Sequence, residues 1–200
     1  MYIFLILAIP FIASGLSLLV RKKTSLLNIV AIIASALELT LAILIVLAVV
    51  KSGSYSWSHD FSVDYLGSVV LLTLAVTGFP IALYSVGYLK AEMAKGIIDF
   101  RKIKQYFILF HLFILAMFFA ITTTSSILMW IGIEATTLST AFLIGFYNKP
   151  SAMEAAWKYL IINSLGLLFA FFGTLLFLYP ALNGGHTELK TWGNLLPSGP

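Results

Sequence analysis

Residues 125–146 read SSILMWIGIEATTLSTAFLIGF, an apolar run interrupted by a single carboxylate, Glu134. A helix of about 20 apolar residues crosses a hydrocarbon core about 30 Å thick, so this run predicts a membrane-spanning helix. A charged side chain at the centre of such a helix costs at least ~2.5 kcal/mol on insertion scales. Such residues usually mark a functional site, most often one that handles protons or ions. Glu134 is therefore the first candidate residue.

The overall composition also predicts an integral membrane protein. The chain has 200 residues, of which 60% are hydrophobic and 10% charged, whereas soluble domains carry about 25% charged residues. The net charge of +4 comes from cations that lie mostly between apolar runs, which argues against a nucleic-acid partner. The absence of cysteine excludes disulfides and thiolate metal sites.

No motif in the sequence predicts a cofactor. The chain has no nucleotide-binding loop, no glycine-rich dinucleotide turn and no cluster of histidines for haem. We expect no metal site and no redox centre of its own. The sequence therefore leaves open whether the chain belongs to an enzyme.

Six apolar segments predict an all-α membrane helical bundle with six transmembrane helices in one domain, residues 1–200. The fourth and fifth segments almost touch, and we divide them at the hydroxyl-rich residues 122–126 because their sum is too long for one crossing. The tail, residues 180–200, is polar and rich in Gly and Pro and predicts a loop. The helices are predicted at residues 2–20, 26–50, 65–89, 106–124, 125–146 and 155–179.

The distribution of Lys and Arg predicts the orientation. Only Lys51 and Lys190 lie on one side of the predicted bundle. Because cytoplasmic loops carry the excess of positive charge, both termini are expected outside. The opposite side holds the other ten cations, Arg21, Lys22, Lys23, Lys90, Lys95, Arg101, Lys102, Lys104, Lys149 and Lys158.

Helical spacing places Glu134 on one face with Thr137, Ala141 and Gly145. Small and hydroxyl side chains mark helix–helix contacts in membranes. We therefore expect Glu134 to point into protein, with Thr137 as a supporting residue. Our first interpretation is a proton or cation carrier, and the alternative is a neutral or paired carboxylate that only holds helices together.

Two further ionisable residues lie at membrane depth. Glu38 is midway along the second segment among alanines; we interpret it first as a structural carboxylate and, alternatively, as part of an ion path. His111 lies just over one turn into the fourth segment, with apolar neighbours. A single histidine lacks the partners of a metal site. Because imidazole titrates near neutral pH, His111 is a candidate proton relay, with a hydrogen-bonded buried imidazole as the alternative.

Two polar residues belong to the sixth segment. Lys158 follows Glu154 by four residues, the favoured order for an ion pair within a helix. It is either an interfacial anchor or a charge that tunes an ion path. Asn163 is expected to bond a neighbouring helix rather than a substrate, because it aligns with small residues typical of a packing face, namely Gly166, Ala170 and Gly173.

Several of these residues lie in motifs that resemble a known family. The main ones are MWIGIEATTLS at 129–139, AFLIGFY at 141–147 and EAAWKYL at 154–160, supported by YSVGY at 84–88 and FHLF at 110–113. Together they resemble the antiporter-like membrane subunits of energy-converting hydrogenases, of the hydrogenase-4 component F type. Related subunits occur in respiratory complex I and in multisubunit cation/proton antiporters. The resemblance covers roughly residues 66–179.

The resemblance implies a fold and a role. Family members have about fourteen helices with two inverted five-helix repeats, and they translocate protons or sodium ions, driven in redox complexes by other subunits. The residue that matches Glu134 pairs with a lysine on the seventh helix, and the family lysine of the sixth helix matches Lys158. This chain ends after the sixth predicted helix, so we expect a partial antiporter-like fold.

The resulting hypothesis is a proton- or sodium-translocating membrane subunit of a hydrogenase or complex I-like assembly. Its expected partners are lipid, other membrane subunits and a peripheral redox module. Its expected location is the inner membrane of a prokaryotic cell. The alternatives are a subunit of a multisubunit cation/proton antiporter and a non-conducting scaffold fragment.

Overall fold

The computed structural model describes residues 1–21 and 23–183, which are almost entirely helical. Each of the six helices contains a span long and apolar enough to cross a membrane. The prediction of an all-α membrane bundle with six long apolar helices is therefore confirmed. The helices are α1 (Tyr2–Leu19), α2 (Thr24–Ser52), α3 (Tyr65–Ala94), α4 (Phe100–Thr122), α5 (Ser126–Ile144) and α6 (Pro150–Asn183).

Three helices extend well beyond the predicted bounds. Helix α3 continues to Ala94, α4 begins at Phe100, and α6 runs from Pro150 to Asn183. The prediction counted the apolar residues needed to cross lipid, but backbone hydrogen bonding continues into the polar interface. The predicted loop is therefore wrong for residues 180–183. Its remainder, residues 184–200, lies outside the described residues, as does Lys22.

A short β-hairpin that the sequence did not predict joins α2 to α3. Its strands, β1 (Tyr55–Ser58) and β2 (Phe61–Val63), pair antiparallel. The phenol oxygen of Tyr55 accepts a hydrogen bond from the N-terminal amine at 3.0 Å. The backbone amide of Thr124 donates to the carbonyl of Asp60 at 2.9 Å. The hairpin therefore places the N-terminus and the α4–α5 connection on the same side of the bundle.

Helices α1–α4 enclose two apolar clusters at different depths. The first, near the hairpin, is called the hairpin-side cluster and includes Ile3, Ile6, Ala42, Ile45, Leu71, Phe110, Ile114 and Phe118. The second, near the basic loops, is called the basic-side cluster and comprises Leu27, Ala31, Leu89, Ile98, Ile103, Phe107 and Phe146. Both clusters are held between helices that pack against one another.

Helix α5 packs on α4, and α6 packs mainly on α5, so α6 lies at the edge of the described chain. Helices α4 and α5 approach each other closely at Gly132. A Cβ atom added there would lie 2.9 Å from the Cβ and 3.0 Å from the Cα of Ala120. These distances leave no room for a side chain, because Ala120 Cα belongs to the backbone and cannot rotate away.

We predict that Gly132→Ala lowers the free energy of unfolding by about 1–3 kcal/mol, the usual cost of overpacking. The control is Gly166→Ala in α6, where an added Cβ meets nothing within 4 Å. Both changes bring the same gain in helix propensity, so their difference isolates the contact with Ala120. Thermal unfolding of the purified chain in one detergent measures the effect. Equal stabilisation by both substitutions would contradict the described α4–α5 contact.

Candidate functional site

Glu134 lies in an open groove between α5 and α6. The groove has a volume of about 590 Å³. Three of its lining side chains carry polar atoms, namely Trp130, Glu134 and Ser164. The others are Ile127, Ile131, Ile161, Leu165, Leu167, Leu168 and Phe171. The carboxylate is thus the single ionisable group in an otherwise apolar groove.

The hydroxyl of Ser164 is the one polar partner of Glu134 among the described residues. Ser164 Oγ donates to Glu134 Oε1 over 2.8 Å. The indole of Trp130 packs edge-on against Phe171, with 6.0 Å between ring centroids. Its buried Nε1 has no hydrogen-bond partner in the described part of the chain. The groove therefore offers one hydroxyl to the carboxylate, and the indole N–H of Trp130 remains buried beside it.

Glu134 does not lie on the buried face of α5 on which helical spacing placed it. Thr137, Ala141 and Gly145 are buried, as a packing face should be, but Glu134 is exposed. The buried stripe of α5 faces α4 around Gly132, and the carboxylate is turned toward α6. Thr137 Oγ1 donates to the carbonyl of Ile133 at 3.2 Å, so its hydroxyl bonds its own helix and not Glu134.

Lys158 does not lie beside Glu134. Its Nζ contacts Glu154 Oε1 at 2.5 Å, and the two side chains are 69% and 65% exposed. The expected pair within the helix is therefore present. Lys158 precedes Ser164 by six residues, or ~9 Å along the helix axis. The structure brings Glu134 together with Ser164 but leaves Lys158 separate.

Asn163 bonds its own helix, and no bond to a neighbouring helix is present among the described residues. Its Nδ2 donates to the carbonyl of Tyr159 at 2.8 Å. Its presumed packing partners Gly166 and Gly173 have nothing within 4 Å of an added Cβ. Small residues mark a contact only where another helix lies opposite, and none of the described helices does so here.

Ser164 was missed because α6 uses a different stripe to contact α5. At one end of this stripe, a Cβ added to Gly145 would lie 3.4 Å from Met153 Sδ and 3.6 Å from Ala156 Cβ. At the other end, Phe171 meets Trp130. Ser164 lies between these contacts at helical spacing. The helical spacing of Ser164 could have indicated this contact, but the neighbours of Ser164 on the stripe are large rather than small.

Glu38 and His111 lie in the α1–α4 bundle, on different helices from those that form the groove. Glu38 is 3% exposed and His111 is 0% exposed. Glu38 Oε1 and both ring nitrogens of His111 have no hydrogen-bond partner among the described residues. In residues 1–21 and 23–183, no group of three or more His, Asp or Glu side chains is arranged to hold a metal ion.

A third polar group joins the basic-side ends of α3 and α5. Tyr147 donates to Glu92 Oε2 at 2.7 Å, and Tyr88 donates to Glu92 Oε1 at 2.9 Å. The two phenol oxygens are 2.9 Å apart. Nearby, Lys102 Nζ donates to the carbonyl of Phe146 at 2.5 Å. These bonds fix the end of α5 against α3 and α4, and so set the position of the helix that carries Glu134.

Known proteins share parts of this sequence. Residues 123–197 match the family model described as NADH:quinone oxidoreductase/Mrp antiporter, TM. A hydrogenase-4 component F homolog from Methylacidiphilum infernorum is 33% identical over 138 residues, covering 68% of this chain and 29% of that protein. NADH-quinone oxidoreductase subunit L from Mycobacterium tuberculosis is 29% identical over 136 residues, covering 63% of this chain and 20% of that protein.

A solved structure shares the fold. It is the membrane-bound sulfane sulfur reductase, described as an archaeal respiratory membrane complex. One of its chains superposes with a TM-score of 0.67 and 22% identity, covering 88% of this chain and 37% of that one. The present chain thus spans less than a third of the two relatives named above. At this identity, the likeness to the solved structure concerns the fold.

We predict that Tyr147→Phe lowers the free energy of unfolding by about 1 kcal/mol, because it removes a hydrogen bond to the carboxylate of Glu92 in a partly exposed site. The matched control is Tyr159→Phe, which should have little effect. Among the described residues, the Tyr159 hydroxyl makes no hydrogen bond, and only its backbone carbonyl accepts one. The measurement is again thermal unfolding in detergent. Equal midpoints for the two variants would show that the Tyr88–Glu92–Tyr147 group does not stabilise the bundle.

Proposed function

The chain belongs to the antiporter-like membrane subunits, of which it covers a part, and on this premise we propose that it forms part of the ion path of a proton- or sodium-translocating assembly. The observation that carries the proposal is Glu134, an ionisable side chain in an apolar groove between two membrane-spanning helices. Such a residue is unfavourable in lipid and is retained where it binds an ion or a proton.

The predicted resemblance to this family is confirmed. The matched relatives are a hydrogenase-4 component F homolog and subunits of NADH-quinone oxidoreductases. The family match, at residues 123–197, includes both Glu134 and Lys158. Because the chain spans only part of these relatives, we attribute the ion-translocating activity to the assembly in which it takes part.

In the proposed mechanism, Glu134 exchanges a proton or a cation as its surroundings change. A positive charge that approaches to within ~4–6 Å favours the ionised carboxylate, and its withdrawal favours the protonated acid. Ser164 would act as a fixed donor that stabilises the ionised form and holds the carboxylate toward α6. Once a further helix covers the groove, its apolar walls would exclude water and strengthen these electrostatic effects.

The mobile positive charge is proposed to come from outside the described residues. Lys158 is unsuited to this role, because it pairs with Glu154 at the exposed start of α6. Glu134 opens instead to a face that α1–α5 leave uncovered. In agreement with the family resemblance, we propose that a further helix covers this face and brings a lysine near Glu134. Lys158 would then act as an interfacial charge.

The assembly and its placement follow the same reasoning. We propose other membrane subunits and a peripheral redox module as partners, and the inner membrane of a prokaryotic cell as the location. The excess of Lys and Arg on one side supports an orientation with both termini outside. A multisubunit cation/proton antiporter is the second candidate, favoured by the description of the matched family model. Co-purification of redox subunits distinguishes the two.

We predict that Glu134→Gln abolishes ion translocation by the assembly, because the amide cannot release a proton or carry a charge. The assay is ion uptake into vesicles that contain the assembly isolated with this chain. The control is Glu154→Gln, which removes a carboxylate at the exposed start of α6 but leaves the groove unchanged. It should translocate ions at the normal rate.

Two outcomes of this experiment would contradict the proposal. Normal uptake by a correctly assembled Glu134→Gln variant would remove Glu134 from the ion path. If Glu134→Gln fails to assemble, Glu134→Asn takes its place in the test. Normal uptake by assembled Glu134→Asn, as well as by assemblies that contain Glu134→Asp, would support the alternative of a non-conducting scaffold. Loss of uptake in both Gln and Asn variants that assemble supports the proposal.

We predict that Ser164→Ala slows translocation without abolishing it. The hydrogen bond between Ser164 and Glu134 lies in an open groove, so we expect its loss to cost about 1 kcal/mol, equivalent to roughly fivefold in rate. The control is Ser151→Ala near the start of α6, where the side chain is exposed. Unchanged rates in Ser164→Ala would show that Ser164 is a structural neighbour of Glu134 only.

A further inference from the structure

Glu38 and His111 stand out from the other residues of the α1–α4 bundle. Residues 2–19, 24–50, 65–89 and 105–122 contain no other Asp, Glu, Lys, Arg or His. Both side chains are nevertheless buried, at 3% and 0% exposure. Neither Glu38 Oε1 nor either ring nitrogen of His111 bonds any described residue. A buried polar atom left without a partner costs about 1–3 kcal/mol, so two such groups in one bundle require an explanation.

The two residues lie at nearly the same depth. Asn28 of α2 and Ile103 of α4 line one small cleft, which gives a common starting level. Both helices run from the basic-side cluster toward the hairpin-side cluster. Glu38 is ten residues beyond Asn28 and His111 is eight beyond Ile103, so they lie ~15 Å and ~12 Å from that level. The difference is less than one helical turn.

Apolar layers enclose this level on both sides. On α2, Ala31 belongs to the basic-side cluster and Ala42 to the hairpin-side cluster. On α4, Phe107 and Ile114 occupy the corresponding positions. Glu38 and His111 are the ionisable groups in the layer between them, on two helices that pack against each other. No other Asp, Glu, Lys, Arg or His of α1–α4 lies at this depth.

We propose that Glu38 and His111 form a second proton-binding site, an acid–imidazole pair that holds one proton between them, separate from the α5–α6 groove. An isolated charge in this apolar layer would cost several kcal/mol, whereas the pair with one proton has no net charge. It can exist as neutral acid with neutral imidazole or as carboxylate with imidazolium. The proton moves from a Glu38 oxygen to a His111 nitrogen, and no other bond changes.

The geometry also indicates how the proton moves. The carboxyl oxygen and the ring nitrogens are not within hydrogen-bond distance of one another in this structure. Transfer therefore takes place through a side-chain rotation or a bridging water, which can hydrogen-bond both groups. The ring of Phe110 contacts His111 edge-on, with 5.5 Å between centroids, and restricts the imidazole on one side. The inference does not depend on Glu134 or on ion flux.

Infrared spectroscopy of the purified chain in lipid nanodiscs tests the inference. We expect a carbonyl band of a buried protonated carboxylic acid at neutral pH, slow to exchange in deuterium oxide. The band should disappear in Glu38→Gln and persist in Glu134→Gln. It should shift in His111→Gln but not in His59→Gln, which changes an exposed histidine of the hairpin. A band that survives Glu38→Gln, or one that His111→Gln leaves unchanged, would overturn the proposal.

A second measurement keeps the test valid if Glu38→Gln does not fold. In the variant His59→Gln/His186→Gln, His111 is the only histidine, so ¹⁵N magnetic resonance reports its protonation and hydrogen bonding directly. We expect one imidazole with the chemical shifts of a hydrogen-bonded ring. A solvent-like imidazole would overturn the proposal. Either result leaves the flux assay of Glu134 unaffected, so the two hypotheses fail independently.

Discussion

Hydrocarbon offers no water to the polar groups of a protein, and this constraint governs the whole molecule. Each unsatisfied backbone group costs several kcal/mol, so the chain crosses as helices and turns at the interfaces. Hydroxyl side chains meet the same requirement within their own helices. Ser17 bonds the carbonyl of Ala13, and Thr122 bonds that of Phe118. A carboxylate cannot do so, because it only accepts hydrogen bonds and the N–H groups of a helix interior are already used.

This distinction separates the polar residues that need explanation from those that do not. Asn163 resembles the hydroxyls, since its amide donates to a carbonyl one turn earlier. The two carboxylates at depth and His111 need partners from other helices. Glu134 finds Ser164 across the groove. Glu38 and His111 find none among the described residues.

The sequence predicted the number of helices because apolar length alone determines a crossing. It predicted the α4–α5 division because Ser and Thr were concentrated at one point. It did not predict which faces are buried, because lipid and protein interior are both apolar and leave little contrast around a membrane helix. The presence of a glycine did not reveal a helix contact either. A Cβ added to Gly132 would meet Ala120, whereas one added to Gly166 would meet nothing within 4 Å. The hairpin was not predicted because its short, polar sequence resembles that of an ordinary loop.

The two carboxylates differ in what determines their protonation. Helices α1–α4 enclose Glu38, so the affinity of Glu38 for a proton is fixed by residues within the bundle. The surroundings of Glu134 are completed by whatever covers the α5–α6 groove. A neighbour can shift a binding equilibrium only through contacts that differ between its two positions, and only the groove allows such contacts to change. Under the proposed function, Glu134 would therefore be the group that a moving subunit controls, and Glu38 the group that such motion leaves constant.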